Sequence, residues 1–483
     1  MNLASSFTLL KHKRTKIIAT IGPASAHPMM IAKLIDQGAD VFRLNMSHGE
    51  HETHRQSYQM IRKVAQEKGK HIAVLADLCG PKIRTGTFKE GSIVLSQGEE
   101  VVMTVRDVVG EPGLIPSQYK NLTHDVGVGH RIFLADGEME LKVLSIENTD
   151  VRCLVVHGGE LGEHKGINLP DSDVSAPAMT EKDVKDTAFA VDLGVDFIAL
   201  SFVRSADDIL QLRARLDERG AKCGIVAKIE RPEALEDADA IVQAADVVMV
   251  ARGDLGVELP PEQVPIAQQM LIDVARLYHK PVIVATQVLE SMIEHSRPTR
   301  AEATDIFHSV SSGACGIMLS GETAVGAYPV AAVEIMSRVI LHAEAFLWKK
   351  NAFASSEVVK EHMVLPFGSA VARSTAQLSR DLMVRGIVVL SCSGETAATI
   401  SSARPEAPIL GISPHAEACR KMNMLWGVIP VLVESCLPEN QVDIVKTLVK
   451  HYDLATDGDS VLLVQGFHQD EELNHPSVMA LKV

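Results

Sequence analysis

The stretch GIVAKIERPEALEDADAIVQAADVVMVARGDLG, Gly224 to Gly256, decides the fold. Two apolar, β-branched runs, GIVAKIE (224–230) and DVVMVAR (246–252), are separated by a helical pattern. Both runs finish in charged residues: Lys228 and Glu230 on the first, Arg252-Gly253-Asp254 on the second. Strands that are apolar at nearly every position, alternating with helices, indicate a parallel sheet covered on both faces.

The same unit recurs along the chain. KIIATIG (16–22), DVFRLNM (40–46), HIAVLADL (71–78), DFIALSF (196–202), PVIVATQ (281–287) and GIMLS (316–320) read as strands. Helical patterns such as MMIAKLIDQG, EKDVKDTAFAVDLG, ILQLRARLDERG and PVAAVEIMSRVILHAE separate them. Eight such units indicate a (β/α)8 TIM barrel. One long segment between the third strand and the helix near Glu181 differs in character. GSIVLSQGEEVVMTV, HRIFLADGEMELKVLSIE and TDVRCLVVHGG alternate apolar and polar positions around Gly and Asp turns, which predicts an inserted antiparallel β domain. After residue 345, strands at 386–391, 408–413, 428–433 and 460–466 alternate with helices, giving a separate open α/β domain. The expected organisation is α/β: a barrel over 1–86 and 177–345, an inserted β domain over 87–176, and a C-terminal α/β domain over 346–483. The pentapeptide SGETA occurs at 320–324 and again at 393–397, which is weak support for duplication.

Composition narrows the function. A chain of 483 residues suggests about three domains. The 46% hydrophobic content supports large cores, and 4% aromatics makes them mostly aliphatic. No apolar run approaches the ~20 residues that span a bilayer, and the start MNLASSFTLLKHKRTK shows no leader pattern. Seven cysteines without a CxxC pair read as free thiols in a reducing compartment, so a cytoplasmic protein is expected. A net charge of −15 argues against nucleic-acid partners. Any anion site must therefore concentrate Arg and Lys locally.

In a barrel of this kind the site lies at the C-terminal ends of the strands. The second strand closes with Arg43, Asn45 and Ser47, the third with Asp77, and the fifth with Lys228 and Glu230. The sixth runs into Arg252-Gly253-Asp254, the seventh into Thr286, and the eighth into Ser320 and Glu322. Each of these alone reads as a solvated loop residue or a cap. Their convergence at one barrel mouth argues for a site. Glu230 and Asp254 are hard oxygen ligands suited to a Mg2+ ion that keeps several waters. Arg43, Lys228 and Arg84, with Arg252 as a further contributor, supply positive charge. A divalent ion with Arg/Lys clamps is equipment for phosphoryl transfer. Gly253 would let backbone N–H groups approach a carboxylate. No P-loop, H-E-x-x-H motif or Cys/His cluster appears. Most histidines are scattered; His48, directly after Ser47, is the exception.

TKIIATIGPAS, DVFRLNMSHGEHETH, DLCGPKIRTG, LGEHKGINLP, IVAKIERPEAL, VMVARGDLGVELP, ATQVLESMI, RPTRAEATD and IMLSGETAVGAYPVAAV resemble the pyruvate kinase family, in order and over nearly the whole chain. SGETA, ISSARP and LWGVIPVLV carry the resemblance into the C-terminal domain. It implies a glycolytic, Mg2+-dependent (or Mn2+-dependent) transfer of phosphate from phosphoenolpyruvate to ADP, giving pyruvate and ATP. It also implies a homotetramer, a β-barrel lid in the inserted domain and a regulatory, allosteric C-terminal domain. By position, Arg43 and Lys228 would hold the phosphoryl group, and Lys228 would also stabilise the enolate. Glu230 and Asp254 would bind Mg2+, and Gly253, Asp254 and Thr286 would place the substrate carboxylate. Thr286 would lie near the proton that reaches the enolpyruvate carbon. Asn45, Ser47, His48, Arg84 and Lys165 would face the nucleotide.

Two departures stand out. The family's common form binds K+ through the positions of Asn45, Ser47, Asp77 and the backbone of residue 78, with Thr at 78 and Glu at 82. Here Leu78 and Lys82 stand there, which resembles the K+-independent branch. An ammonium can supply the charge a bound ion otherwise would, and it repels a metal cation. Lys82 is thus expected as an internal cation anchored by Asp77. In the C-terminal domain, the expected effector loop is Ser391, Ser393, Gly394 and Thr396 before a helix N-terminus. Glu395 there disfavours anions, so a sugar monophosphate or AMP is a more suitable effector than a sugar bisphosphate. Two rival readings are a pyruvate-dependent aldolase sharing the Glu/Asp metal pair, and a non-catalytic metabolite sensor built on a decayed kinase.

Overall fold

The computed structural model describes residues 12–350, 366–434, 441–467 and 474–483, so residues 1–11 of the start read for a leader lie outside it. All eight expected barrel strands form: β1 (Lys16–Thr20), β2 (Val41–Asn45), β3 (Ala73–Asp77), β4 (Phe197–Leu200), β5 (Gly224–Ile229), β6 (Val247–Ala251), β7 (Val282–Ala285) and β8 (Gly316–Leu319). They pair in parallel and close in the order β1-β8-β7-β6-β5-β4-β3-β2. The apolar runs are buried because the ring encloses one face of each strand and the helices cover the other. Ile18, Leu75, Ala199, Val226, Met249, Ile283 and Met318 fill the barrel interior together with Met424 from the C-terminal domain. Helix boundaries follow local chemistry. Glu181–Leu193 starts on a reciprocal cap between Thr180 and Asp183 and stops at Gly194, whose φ of 80° is left-handed.

The insert is β-rich, and its strands wrap one apolar core as a half-barrel. Six strands pair in the order Ile167–Asn168, Arg131–Leu134, Met139–Glu147, Asp150–His157, Glu100–Thr104, Leu114–Pro116. A separate pair joins Ser92–Leu95 to Gly159–Gly162. One ladder departs from the antiparallel expectation: Glu100–Thr104 and Leu114–Pro116 run parallel. The C-terminal sheet carries the four expected strands and a fifth, antiparallel edge strand, Ser477–Lys482. Four of that strand's six residues are exposed, so it lacks the apolar run that marks the others.

The C-terminal domain seats on the N-terminal end of the barrel through buried charges. Asp196, fully buried, accepts from Arg62 of the barrel at 2.7 Å, from Arg420 of the C-terminal domain at 2.7 Å, and from the Val74 N–H at 2.8 Å. Asp196→Ala leaves two arginines facing a vacated carboxylate site. It is expected to cost about 3–5 kcal/mol, the range for breaking a buried ion pair from one side. Urea unfolding checks this, and a loss smaller than that of a surface substitution would contradict it.

Cys79, Cys153, Cys223, Cys315 and Cys419 are free thiols. Cys392 is disulfide-bonded, which corrects the reading of all seven as free: spacing along the chain does not reveal pairings made by the fold. No helix among the described residues is long and apolar enough to cross a membrane.

Candidate active site

The C-terminal strand ends open into a cleft of about 760 Å3 between barrel and insert. It is walled by Lys82 and Arg84 on one side, Lys165 and Asn168 of the insert above, and Asp254, Thr286 and Glu322 of the barrel below. A smaller recess of about 100 Å3 lies deeper, lined by Arg43, Asn45, Ser47, Leu78, Lys82, Lys228, Glu230, Asp254 and Thr286. Apart from Arg252, the residues that the sequence placed on separate strand ends therefore meet at one mouth.

Charge in the recess is organised around Asp77, which is 1% exposed. Arg43 Nε donates to its Oδ2 at 2.6 Å, and Lys228 Nζ stands 3.2 Å from its Oδ1. Burial alone would raise the Asp77 carboxyl, but Lys228 and Arg43 outweigh it and hold it below the usual range. Lys228 also pairs with Glu230 Oε1 at 2.8 Å and donates to Ser201 Oγ at 2.6 Å. Burial would depress the ammonium, yet Asp77 and Glu230 keep it above an ordinary lysine, firmly charged. Glu230 accepts the Phe202 N–H on its other oxygen at 2.7 Å. Burial pushes its carboxyl up to about 7, Lys228 opposes this, and the Asp254 carboxylate adds to it. The Glu230 and Asp254 carboxylates both line the recess, and a cation bound by both would offset their repulsion. Two hard oxygen ligands suit Mg2+ that completes its shell with water or substrate oxygens. Among the described residues no larger His/Cys/Asp/Glu metal cluster is present.

One side of the recess is built where β6 and β7 end. The Gly253 N–H donates to Thr286 Oγ1 at 2.6 Å, and the Thr286 hydroxyl donates to the Ala285 carbonyl at 2.5 Å. A methyl at Gly253 would stand 3.3 Å from Thr286 Oγ1, so glycine permits this close approach. Three residues at the mouth are left-handed without being glycine: Phe202 (φ 55°), Thr286 (φ 66°) and Gln287 (φ 51°). Such conformations are sparsely populated and cluster at sites.

On the opposite rim, the Ser47 N–H donates to Asn45 Oδ1 at 3.1 Å, fixing the loop that carries the exposed His48. His48 is held below an ordinary histidine by partial burial, then by Lys82, Arg84 and Arg43, which places those three cations around it. Arg84 donates to the His164 carbonyl at 3.2 Å, and the Lys165 N–H to Thr85 Oγ1 at 3.0 Å, so both sit where the insert folds back over the barrel.

Lys82 is not joined to Asp77, contrary to the expectation. The Gly80-Pro81 turn, held by the Gly80 N–H on Asp183 Oδ1 at 3.1 Å, sends Lys82 onto the exposed rim of the recess. No carboxylate pairs with it among the described residues, and Asp77 is taken by Arg43 and Lys228. Arg252 is not part of the mouth's field either. It ion-pairs with Asp305 at 2.6 Å and lines neither the cleft nor the recess. Glu322 is a loop staple, accepting the Leu289 and Ser320 N–H groups at 3.0 and 2.7 Å.

Two residues were passed over in the sequence. Thr20 ends β1 and accepts from Arg43 at 3.2 Å. Ser201 follows β4, accepts from Lys228 and donates to the Leu78 carbonyl at 2.7 Å. Both are polar residues at strand ends, the same signal that marked the others. In the C-terminal loop, Ser391 and Thr396 are buried at 2% and 7% exposure, and Ser391 Oγ accepts the Ala397 N–H at 3.2 Å. Ser393 is the exposed hydroxyl of the loop, next to Gly394, whose φ is 100°.

The profile of the family "Pyruvate kinase, barrel domain" matches residues 12–333, and that of "Pyruvate kinase, alpha/beta domain" matches 369–478. The chain is 42% identical to a pyruvate kinase of Corynebacterium glutamicum over 94% of each chain. It is 44% identical to one of Staphylococcus aureus (strain MRSA252), covering 87% of this chain and 72% of that one. Among solved structures, a pyruvate kinase from Cryptosporidium parvum superposes with a TM-score of 0.90 at 34% identity, over 98% of this chain and 97% of that chain.

Proposed function

The chain belongs to the pyruvate kinase family and is a phosphotransferase, and on that premise we propose that it moves the phosphoryl group of phosphoenolpyruvate to ADP with Mg2+ at Glu230 and Asp254. The observation that carries this reading is Lys228: a buried, charged ammonium held by Asp77, Glu230 and Ser201 on the floor of a recess that also contains Arg43. Phosphoryl transfer asks for fixed positive charge around the moving group and little covalent chemistry.

In this reading Arg43 and Lys228 clamp the phosphoryl oxygens. Their geometry is preorganised because Asp77 orients both, so no reorganisation is required as charge develops. Lys228 also faces the enolate oxygen left behind. Gly253, Asp254 and Thr286 hold the substrate carboxylate, and the Thr286 hydroxyl lies on the side from which the enolpyruvate carbon receives its proton. Asn45, Ser47, His48, Arg84 and Lys165 contact ADP. A divalent ion at Glu230 and Asp254 would supply further positive charge to the phosphoryl and enolate oxygens. The insert acts as a lid that keeps water from the phosphoryl group. Its closure is favoured by contacts already formed: Asn168 Nδ2 on Glu258 Oε1 at 3.0 Å, Arg231 on the Ser172 carbonyl at 3.4 Å, and Arg204 on the Val174 carbonyl.

K+ independence is the finer part of the proposal. Lys82 shares the recess with Asn45, Ser47 and Leu78. The Leu78 carbonyl already accepts the Ser201 hydroxyl, and both Asp77 oxygens face cations. Little oxygen charge is left to attract K+, and Lys82 brings a like charge to the same place. The ammonium thus acts from the rim on the phosphoryl group, rather than as a ligand of Asp77. A cytoplasmic homotetramer with a phosphate-ester effector at Ser393 and Gly394 completes the proposal.

A lactate dehydrogenase-coupled assay with phosphoenolpyruvate, ADP and Mg2+ tests the activity; aldol cleavage without ATP formation, or no turnover, would overturn it. Asp254→Asn is expected to raise the Mg2+ concentration for half-maximal rate about 10-fold or more, since even second-shell changes cost about 10–100-fold in metal affinity. A Mg2+ titration at saturating substrates checks this, and an unchanged midpoint would remove Asp254 from the metal site.

A further inference from the structure

We propose that Arg252 is a positioning residue that, anchored by Asp305, holds the β7 exit loop in the conformation that presents Thr286 to the substrate. This rests on the reading of Thr286 given above. Arg252 leaves β6 one residue past Ala251, which is in register with Ala285 of β7, so its side chain starts directly beside Thr286. It is 8% exposed. One terminal nitrogen pairs with Asp305 Oδ1 at 2.6 Å, on the helix Arg300–Ser312. The other donates to the carbonyls of Thr286 at 3.0 Å and Gln287 at 3.1 Å. Those carbonyls belong to two consecutive non-glycine residues with positive φ, 66° and 51°. For a β-branched threonine that conformation is an outlier that persists only when the surroundings enforce it.

The guanidinium fork explains how it is enforced. A planar group with fixed donor directions can take two successive carbonyls on one nitrogen while the carboxylate holds the other, which an ammonium cannot do. The peptide orientation set in this way turns the Thr286 side chain back across β6, where Oγ1 accepts the Gly253 N–H at 2.6 Å. Asp305 touches neither the cleft nor the recess, so its influence on the reaction passes through Arg252.

The test uses the full-length enzyme with Mg2+. By microscopic reversibility, the step that protonates the enolpyruvate carbon also removes a methyl hydrogen from pyruvate, so exchange of pyruvate methyl hydrogens for deuterium, with ATP in D2O, reads that step by NMR. Arg252→Met is expected to slow exchange about 100-fold, the scale for a misplacement near 1 Å. It should raise KM for phosphoenolpyruvate about tenfold and leave KM for ADP within about twofold. Arg252→Lys should fall between the wild type and Arg252→Met. In a Thr286→Ala background, Arg252→Met should add less than about threefold, because both changes remove the same effect. A crystal structure of Arg252→Met should show Thr286 at negative φ. Equal losses in both backgrounds when Thr286→Ala itself slows exchange, or Thr286 still left-handed in the variant, overturn the proposal. Should Thr286→Ala be silent while the loop has moved and Arg252→Met still slows exchange, the positioning stands and the role given to the Thr286 hydroxyl falls. If Arg252→Met does not fold, Asp305→Asn and Arg252→Lys decide: wild-type exchange and kinetics in both overturn the proposal, and a loss confined to exchange and phosphoenolpyruvate KM supports it.

Discussion

Lys228→Met is expected to lower kcat by about 10³-fold or more, with a smaller change in KM for ADP. Removing a single preorganised donor to developing charge costs about 10²–10³ in kcat. Lys228 serves two developing charges, on the phosphoryl group and on the enolate, so the loss belongs at or beyond the top of that range. The change also disturbs the charges it leaves. Asp77 keeps Arg43, but Glu230 loses its ion-pair partner and faces Asp254 with only the Phe202 N–H as a donor. A buried carboxylate in that position takes up a proton more readily, which would weaken any divalent-ion site there as well. Lys228→Arg is expected to fail too: a planar guanidinium does not replace an ammonium in a recess of about 100 Å3. Initial rates against phosphoenolpyruvate at several Mg2+ concentrations, with circular dichroism to confirm folding, separate loss of catalysis from loss of metal. A folded Lys228→Met enzyme within tenfold of wild type would exclude this recess as the reaction site.

The barrel was legible because its strands are written in one physical alphabet. KIIAT, AVLAD and VVMVA are buried at every position, and only a two-sided parallel sheet asks for that. Strand ends were legible for the same reason, since polar residues following such runs have nowhere to go but the mouth. The edge strand SVMALK was missed because it is paired on one side only and largely solvated, so no burial pattern marks it. The parallel pair inside the insert was missed because alternation reports one buried face and not the direction of the neighbour.

Partner choice within the site was the other gap. Arg43, Asp77, Lys228 and Lys82 were all identified as members, but which cation meets Asp77 depends on strand register. Arg43 is in register with Leu75 and Asn45 with Asp77, so Arg43 and Asp77 sit on neighbouring strands with side chains within reach. Lys228 comes two strands away across the barrel end and still reaches Asp77. Lys82 is close in sequence, yet the turn at Gly80 (φ 69°) carries it outward. Proximity along the chain was a poor guide where the chain reverses. Arg252 was misread for a related reason: its sequence position is at the mouth, but the acceptors that capture it, Asp305 and two carbonyls, lie behind it.

Lys82→Glu is expected to convert the enzyme from K+-indifferent to K+-activated. In wild type, the rate with Mg2+ in a buffer of organic cations should be near maximal, and KCl at constant ionic strength should change it by less than about twofold, because the ammonium already supplies the charge. Replacing it with a carboxylate removes one positive charge from the recess rim and adds a negative one next to Asn45 and Ser47. Without K+ the rate should fall about 100-fold, within the range for one lost electrostatic contact in a water-poor site. Adding K+ should then recover much of it, since a carboxylate beside Asn45, Ser47 and the Leu78 carbonyl is a better cation site than the wild-type recess. Recovery should improve when Leu78→Thr is combined with Lys82→Glu, because a hydroxyl adds an oxygen where a buried leucine now stands. Na+ should rescue less than K+ if the rescue is a fitted site, and equally if it is only screening. Strong activation of the wild type by KCl would show that Lys82 does not replace the ion. A Lys82→Glu enzyme that loses activity without any rescue would place the lysine on the phosphoryl group or nucleotide directly, so that no free cation can take over its position.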